Sequence, residues 1–132
     1  MAAQANVRDD YRYTKDHEWL GGSGDERLVG ISAYAVDQLG DITLVNIDVK
    51  PGDQIVAGRA FGTIESVKTL SDLFAPISGT VVRVNQELES NPELVNEDPY
   101  GKAWLIAIKP DGAEEGLMDA AAYRDFLSKA AH

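Results

Sequence analysis

Lys68 stands where a strand should give way to a turn: Glu65-Ser66-Val67 precedes it, and Thr69-Leu70-Ser71-Asp72 leads on toward Phe74-Ala75-Pro76. That setting aims a primary amine into solvent. A lysine so placed is ordinarily a solvated charge that discourages edge pairing, so any stronger assignment must come from its flanks. His17 and Glu18 offer the residue types of a metal ligand or an acid–base pair, but the only other histidine is His132 and no ligand-spaced cluster accompanies them. Ser66 and Ser71 with His17 contain the types of a serine hydrolase, without a Gly-x-Ser-x-Gly elbow or a recognisable relay order. No Gly-x-Gly-x-x-Gly or phosphate-binding loop is present. With 0 cysteines, the chain has no thiol nucleophile, disulfide framework or thiolate metal site, and redox chemistry would need a cofactor.

The elements that must position these residues read mainly as strands. Val7 to Lys15, with Tyr11 and Tyr13 at alternate positions, predicts a short strand entered from a loose terminus over about residues 1–8. Gly21, Gly22 and Gly24 turn the chain before β-branched Arg27 to Ile31, which predicts a hairpin. Ser32 can cap a helix over Ala33 to Leu39 that Gly40 closes. Thr43, Val45, Ile47 and Val49 alternate along one face until Pro51-Gly52-Asp53. Gly62-Thr63-Ile64-Glu65-Ser66-Val67 resembles Gly79-Thr80-Val81-Val82-Arg83-Val84, which suggests a quasi-symmetric sheet around a connecting hairpin. Ala103 to Lys109 is apolar on both faces and predicts a buried central strand. Tyr123, Phe126, Leu127 and Ala130 recur at helical spacing behind Asp119, predicting an amphipathic helix over about 119–130.

A chain of 132 residues with 44% hydrophobic content suits one folded domain spanning 1–132, and no apolar run approaches the roughly 20 residues needed to span a bilayer. The net charge of -10 opposes nucleic acid and anionic membranes and favours protein partners with basic surfaces. Met1 to Val7 lacks the apolar core of a secretory signal and the arginine-rich character of a transit peptide, so the expected setting is cytoplasmic or that of a mature mitochondrial protein.

The flanks of Lys68 carry more than composition does. Gly62-Thr63-Ile64-Glu65-Ser66-Val67-Lys68, Ser71-Asp72-Leu73, Ala75-Pro76 and Ser78-Gly79 together resemble the lipoylation region of glycine cleavage H proteins. The likeness continues through His17-Glu18-Trp19, Gly30-Ile31-Ser32, Tyr34-Ala35 and Leu39-Gly40-Asp41. Downstream it includes Asn85, Pro92-Glu93-Leu94-Val95-Asn96 and Asp98-Pro99-Tyr100, so nearly the whole chain is covered. Departures are Ile47-Asp48-Val49-Lys50, where the family more often has a leucine-proline pair, and Lys102-Ala103-Trp104, where a glycine usually precedes the tryptophan.

The resemblance implies a barrel-sandwich hybrid of the lipoyl-carrier type, mainly β with short helices, and a non-catalytic carrier with lipoate in amide linkage to Lys68. Such a carrier shuttles the aminomethyl group of glycine and reducing equivalents between the pyridoxal-phosphate glycine decarboxylase (P protein), the folate-dependent aminomethyltransferase (T protein) and dihydrolipoamide dehydrogenase (L protein). Lipoylating enzymes are further partners, and a monomer is expected. In the family the positions of Glu18 and Asp72 are associated with holding the loaded arm. Competing readings are a lipoyl relay or carrier for another multienzyme system, a small enzyme using Glu18 and Asp72 as paired carboxylates, and an interaction domain in which Lys68 is never modified. A biotin carrier fits less well because no methionines flank Lys68.

Overall fold

The computed structural model describes residues 7–22, 24–112 and 116–130. Among the described residues the strands are β1 (Arg12–Tyr13), β2 (Glu18–Gly21), β3 (Arg27–Ile31), β4 (Ile42–Ile47), β5 (Gln54–Ile55), β6 (Ala60–Ser66), β7 (Leu70–Phe74), β8 (Gly79–Val84) and β9 (Ile106–Pro110). The helices are α1 (Ala33–Leu39), α2 (Glu87–Ser90), α3 (Leu94–Glu97) and α4 (Ala120–Ala130). Six strands form one antiparallel sheet in the order β1-β2-β3-β9-β8-β5, and β4-β6-β7 form a second. Neither closes into a barrel, so the lipoyl-carrier-type expectation is met as two open sheets with short helices and a C-terminal helix.

Apolar side chains from the two sheets share one core. Val45, Phe61, Ile64 and Leu73 of the smaller sheet meet Leu20, Val29, Ile31, Val81, Ile106 and Ile108 of the larger. β9 lies between β3 and β8, which is why both of its faces are apolar, and it starts at Ile106, the expected Ala103 to Leu105 forming the turn and approach before it. A second cluster sits under α4, where Tyr123 and Leu127 bury with Val7, Tyr13 and Trp19. The Tyr13 and Tyr123 rings stack with centroids 4.2 Å apart. Asp119 Oδ1 accepts from Ala122 N–H at 2.8 Å, giving α4 the cap expected from its sequence.

The caps of α1 are those read from the residues. Ser32 Oγ accepts from Ala35 N–H at 3.3 Å, and Gly40, at φ 84°, returns its N–H to Val36 O at 2.9 Å. Three further expectations need correction, and two short helices join the reading. The repeat does not build one sheet: its copies lie on β6 and β8, in different sheets, where each leading glycine admits the backbone of its paired neighbour strand. A Cβ on Gly62 would fall 2.4 Å from Asn46 O and one on Gly79 would fall 2.5 Å from Lys109 O. The alternation from Thr43 breaks at an irregularity between Ile42 and Leu44, which buries Ile42 and Val45 and exposes Thr43. α2 and α3 were not foreseen, because one helical turn leaves no periodicity to read. Of the terminus expected to be loose, residues 1–6 lie outside the described residues, whereas Val7 is buried under α4.

Candidate functional site

The turn between β6 and β7 is built on a buried serine. Ser66 N–H donates to Thr69 O at 2.8 Å, while Ser66 Oγ accepts from Lys68 N–H at 3.1 Å and Thr69 N–H at 3.2 Å. One hydroxyl thereby takes the two backbone donors that so tight a reversal leaves without ladder partners. A second strap comes from outside the hairpin, where Val67 N–H donates to Asp41 O at 3.0 Å. Lys68 sits at the exposed apex with its stem over Gly40, Cε lying 3.4 Å from where a Cβ on that glycine would project. Among the described residues, no hydrogen bond or ion pair engages its ammonium.

Val67 and Leu70 are 66% and 61% exposed on either side of Lys68. The hairpin reverses at this point, so neither side chain can reach the inner face that Ile64 and Leu73 occupy. Leu44 is also exposed, and the register places Glu65 opposite both Leu44 and Leu70 across the outer face.

A cleft of about 160 Å³ opens beside this hairpin, and Glu18 and Asp72 both line it, with His17, Gln38, Leu39 and Ser71 among their neighbours. Glu18 is only 2% exposed. Its carboxylate accepts from Thr14 Oγ1 at 2.6 Å and from Phe74 N–H, on the free edge of β7, at 3.3 Å. Burial pushes its pKa up to about 7 against those two hydrogen bonds, and the nearby charge of Asp16 adds to the rise. Asp72 is exposed at the rim, opposite Thr63 in register.

His17 is adjacent to Glu18 in sequence but belongs to a different network. It occupies the left-handed region at φ 71°, and its Nδ1 pairs with Tyr123 Oη at 2.8 Å. Tyr123 Oη in turn pairs with Ser32 Oγ at 2.6 Å, so α4, the β2 approach and the α1 cap are tied together. Burial lowers the His17 pKa and keeps the ring neutral near pH 7. The serines weighed as nucleophiles separate likewise: Ser66 is committed to the turn, while Ser71 lines the cleft. Among the described residues no group of three or more His, Asp or Glu is placed to hold a metal, and no helix is long and apolar enough to cross a membrane. His132 lies outside the described residues.

Sequence reasoning singled out Lys68, Glu18 and Asp72 but missed the parts that set them. In the sequence Ser66 reads as a nucleophile type and as part of the Lys68 flank, Thr14 carries no signal, and Gly40 reads as a helix stop rather than as the floor beneath the Lys68 stem. A serine two residues before an exposed lysine was the available signal for the turn.

Comparison with known proteins places this geometry in a family. Residues 11–130 match the family model described as glycine cleavage H-protein. A glycine cleavage system H protein from Bacteroides thetaiotaomicron is 51% identical over 121 residues, covering 90% of this chain and 95% of that one. One from Halalkalibacterium halodurans is 45% identical over 127 residues, covering 95% and 98%. The crystal structure of a glycine cleavage system H protein from Mycobacterium marinum superposes with a TM-score of 0.85 at 37% identity, covering 92% of this chain and 99% of that one. Matched from β1 through α4 in both sequence and fold, the chain belongs to the glycine cleavage H-protein family.

Proposed function

We propose that Lys68 carries the lipoyl group in amide linkage, and that the cleft between Glu18 and Asp72 receives the loaded arm. As a glycine cleavage H protein the chain is a lipoyl carrier of that system. The observation that supports this attachment site best is the apex position of Lys68: an exposed, unengaged amine whose backbone is held by Ser66 and Asp41. A residue so placed is accessible to a lipoylating enzyme while its Cα stays fixed. When bound, the group supplies a reducible disulfide on a long arm, able to take up the aminomethyl group of glycine and two electrons and to give them up at separate enzymes.

The chain's own residues perform no bond-breaking step. Ser66 and Gly40 set the anchor, and tethering replaces free diffusion with a high local concentration at each partner. Glu18 and Asp72 present carboxyl groups to a cleft beside the anchor, suited to a cationic amine. Partners are the P, T and L proteins, met in turn, with the carrier itself a cytoplasmic monomer. Site-resolved mass spectrometry after expression in a lipoylation-competent host tests the assignment. The lipoyl mass is expected on Lys68 alone, Lys68→Arg should fold without it, and normal modification at another lysine would overturn the proposal. Unmodified protein should support no glycine-dependent decarboxylation exchange with its partners, whereas lipoylated protein should.

A further inference from the structure

Asn96, on α3, touches neither Lys68 nor the cleft, yet its amide spans the turn on which the lysine hairpin rests. Nδ2 donates to the Gly40 carbonyl and Oδ1 accepts from the Ile42 N–H, each at 2.9 Å. These groups bracket Asp41, whose carbonyl receives Val67 N–H at 3.0 Å. Gly40 itself is the surface under the Lys68 stem. Both straps on the lysine from outside its hairpin therefore end on a segment that this one side chain holds from behind.

The chemistry explains why an asparagine stands here. Gly40 ends α1, so its carbonyl lacks an intrahelical partner, and Ile42 opens β4 opposite Ser66 with its N–H directed away from that strand, toward Asn96. A primary amide is short, neutral and both donor and acceptor, so it can satisfy a C=O and an N–H two residues apart in one placement. Asp41 is exposed and brings no packing of its own to hold its carbonyl still.

We infer that Asn96 is the positioning residue of the lysine turn: by clamping Gly40 and Ile42 it fixes the Asp41 carbonyl and the glycine surface against which Val67 and Lys68 are set. This inference rests on the reading of Lys68 as the lipoyl site for its functional consequence, but not for its geometry. When the clamp is lost, the turn visits arrangements that a lipoylating enzyme cannot engage. Such loss lowers the competent fraction, which raises KM for the carrier and leaves kcat unchanged.

Amide hydrogen exchange and lipoylation kinetics, with a lipoate ligase supplied with lipoate and ATP, test it on wild type, Asn96→Ala, Asn96→Ser and Val95→Ala. Val95 is buried on the same helix and makes neither clamp hydrogen bond, so its truncation is the packing control. In wild type, the Ile42 and Val67 amides should exchange with the same opening constant. In Asn96→Ala and Asn96→Ser the Val67 amide should exchange about tenfold faster, the factor expected from losing roughly one hydrogen bond, with β9 amides unchanged. KM should rise severalfold at constant kcat, while Val95→Ala keeps wild-type values for both. Wild-type Val67 exchange and KM in the Asn96 variants, or equal losses in Val95→Ala, would overturn the inference. If Asn96→Ala does not fold, Asn96→Ser and the wild-type comparison of Ile42 with Val67 decide it. A wild-type chain left unmodified at Lys68 would defeat the reading of that lysine, and the Val67 exchange result would still decide the clamp.

Discussion

Burial of the Glu18 carboxyl lifts its pKa from an ordinary 4.5 to about 7, which makes folding prefer the protonated form. Below pH 4.5 the group is protonated in both folded and unfolded chains, and its contribution to stability is fully present. As pH rises toward about 7 the unfolded chain ionises first, so stability falls across that window, by on the order of 3 kcal/mol, and is lost above it. Glu18→Gln removes the charge and keeps one acceptor oxygen for the Phe74 N–H, giving up the bond accepted from Thr14 Oγ1. Urea midpoints at pH 4.5 and 8 should therefore converge in the variant and differ in wild type, and a wild-type slope in the variant would refute the assignment. The ionised form is the one that attracts an amine. Spontaneous loss of the aminomethyl group from loaded protein should be faster in Glu18→Gln than in wild type, with the gap widening as pH passes about 7. Asp72→Asn should act in the same direction but less strongly, because solvent screens a rim carboxylate.

The hairpin β6–β7 combines an inner face that must bury with a tip that must not. Its glycine at position 62 allows the paired strand β4 to approach closely. Gly62→Ala places a methyl group against Asn46 O, a backbone atom that cannot swing away, and should cost about 1–3 kcal/mol or more. Denaturant unfolding measures this, and Gly79→Ala should behave alike against Lys109 O if the repeated glycines serve one purpose in the two sheets. Elements with several turns or alternations were legible: the caps of α1, the apolar β9 and the span of α4 follow from neighbouring residues. α2 and α3 were not, because four residues show no period, and the irregularity in β4 was not, because it exists only against a partner strand.

Across the whole molecule the net charge of -10 and the exposed trio Leu44, Val67 and Leu70 act together. Charge steers encounter over about 10 Å at 0.1 M salt, whereas apolar contact operates only on touching. Association rates with the decarboxylase and the transferase should fall as salt rises, provided their docking surfaces are basic, while dissociation rates change little. Stopped-flow binding at two ionic strengths checks this. Lys68→Arg should leave the thermal midpoint unchanged, since among the described residues no partner holds that ammonium and an exposed turn tolerates the exchange.

Residue order alone singled out the lysine as a candidate and carried the strand-rich class, the capped helices and the family, because turn chemistry, periodicity and short motifs depend on near neighbours along the chain. Tertiary structure decided the rest. Glu18 reaches the β7 edge and acquires its raised pKa only because β2 is buried beside a strand far along the chain. Asp72 joins it in one cleft only once the second sheet is docked, and Asn96 becomes a clamp only when α3 lies behind the α1–β4 turn. The choice of two sheets over one lies in the same class. Burial, strand partnership and hydrogen bonds across the molecule are set by which distant segments meet, and local sequence carries no record of that meeting.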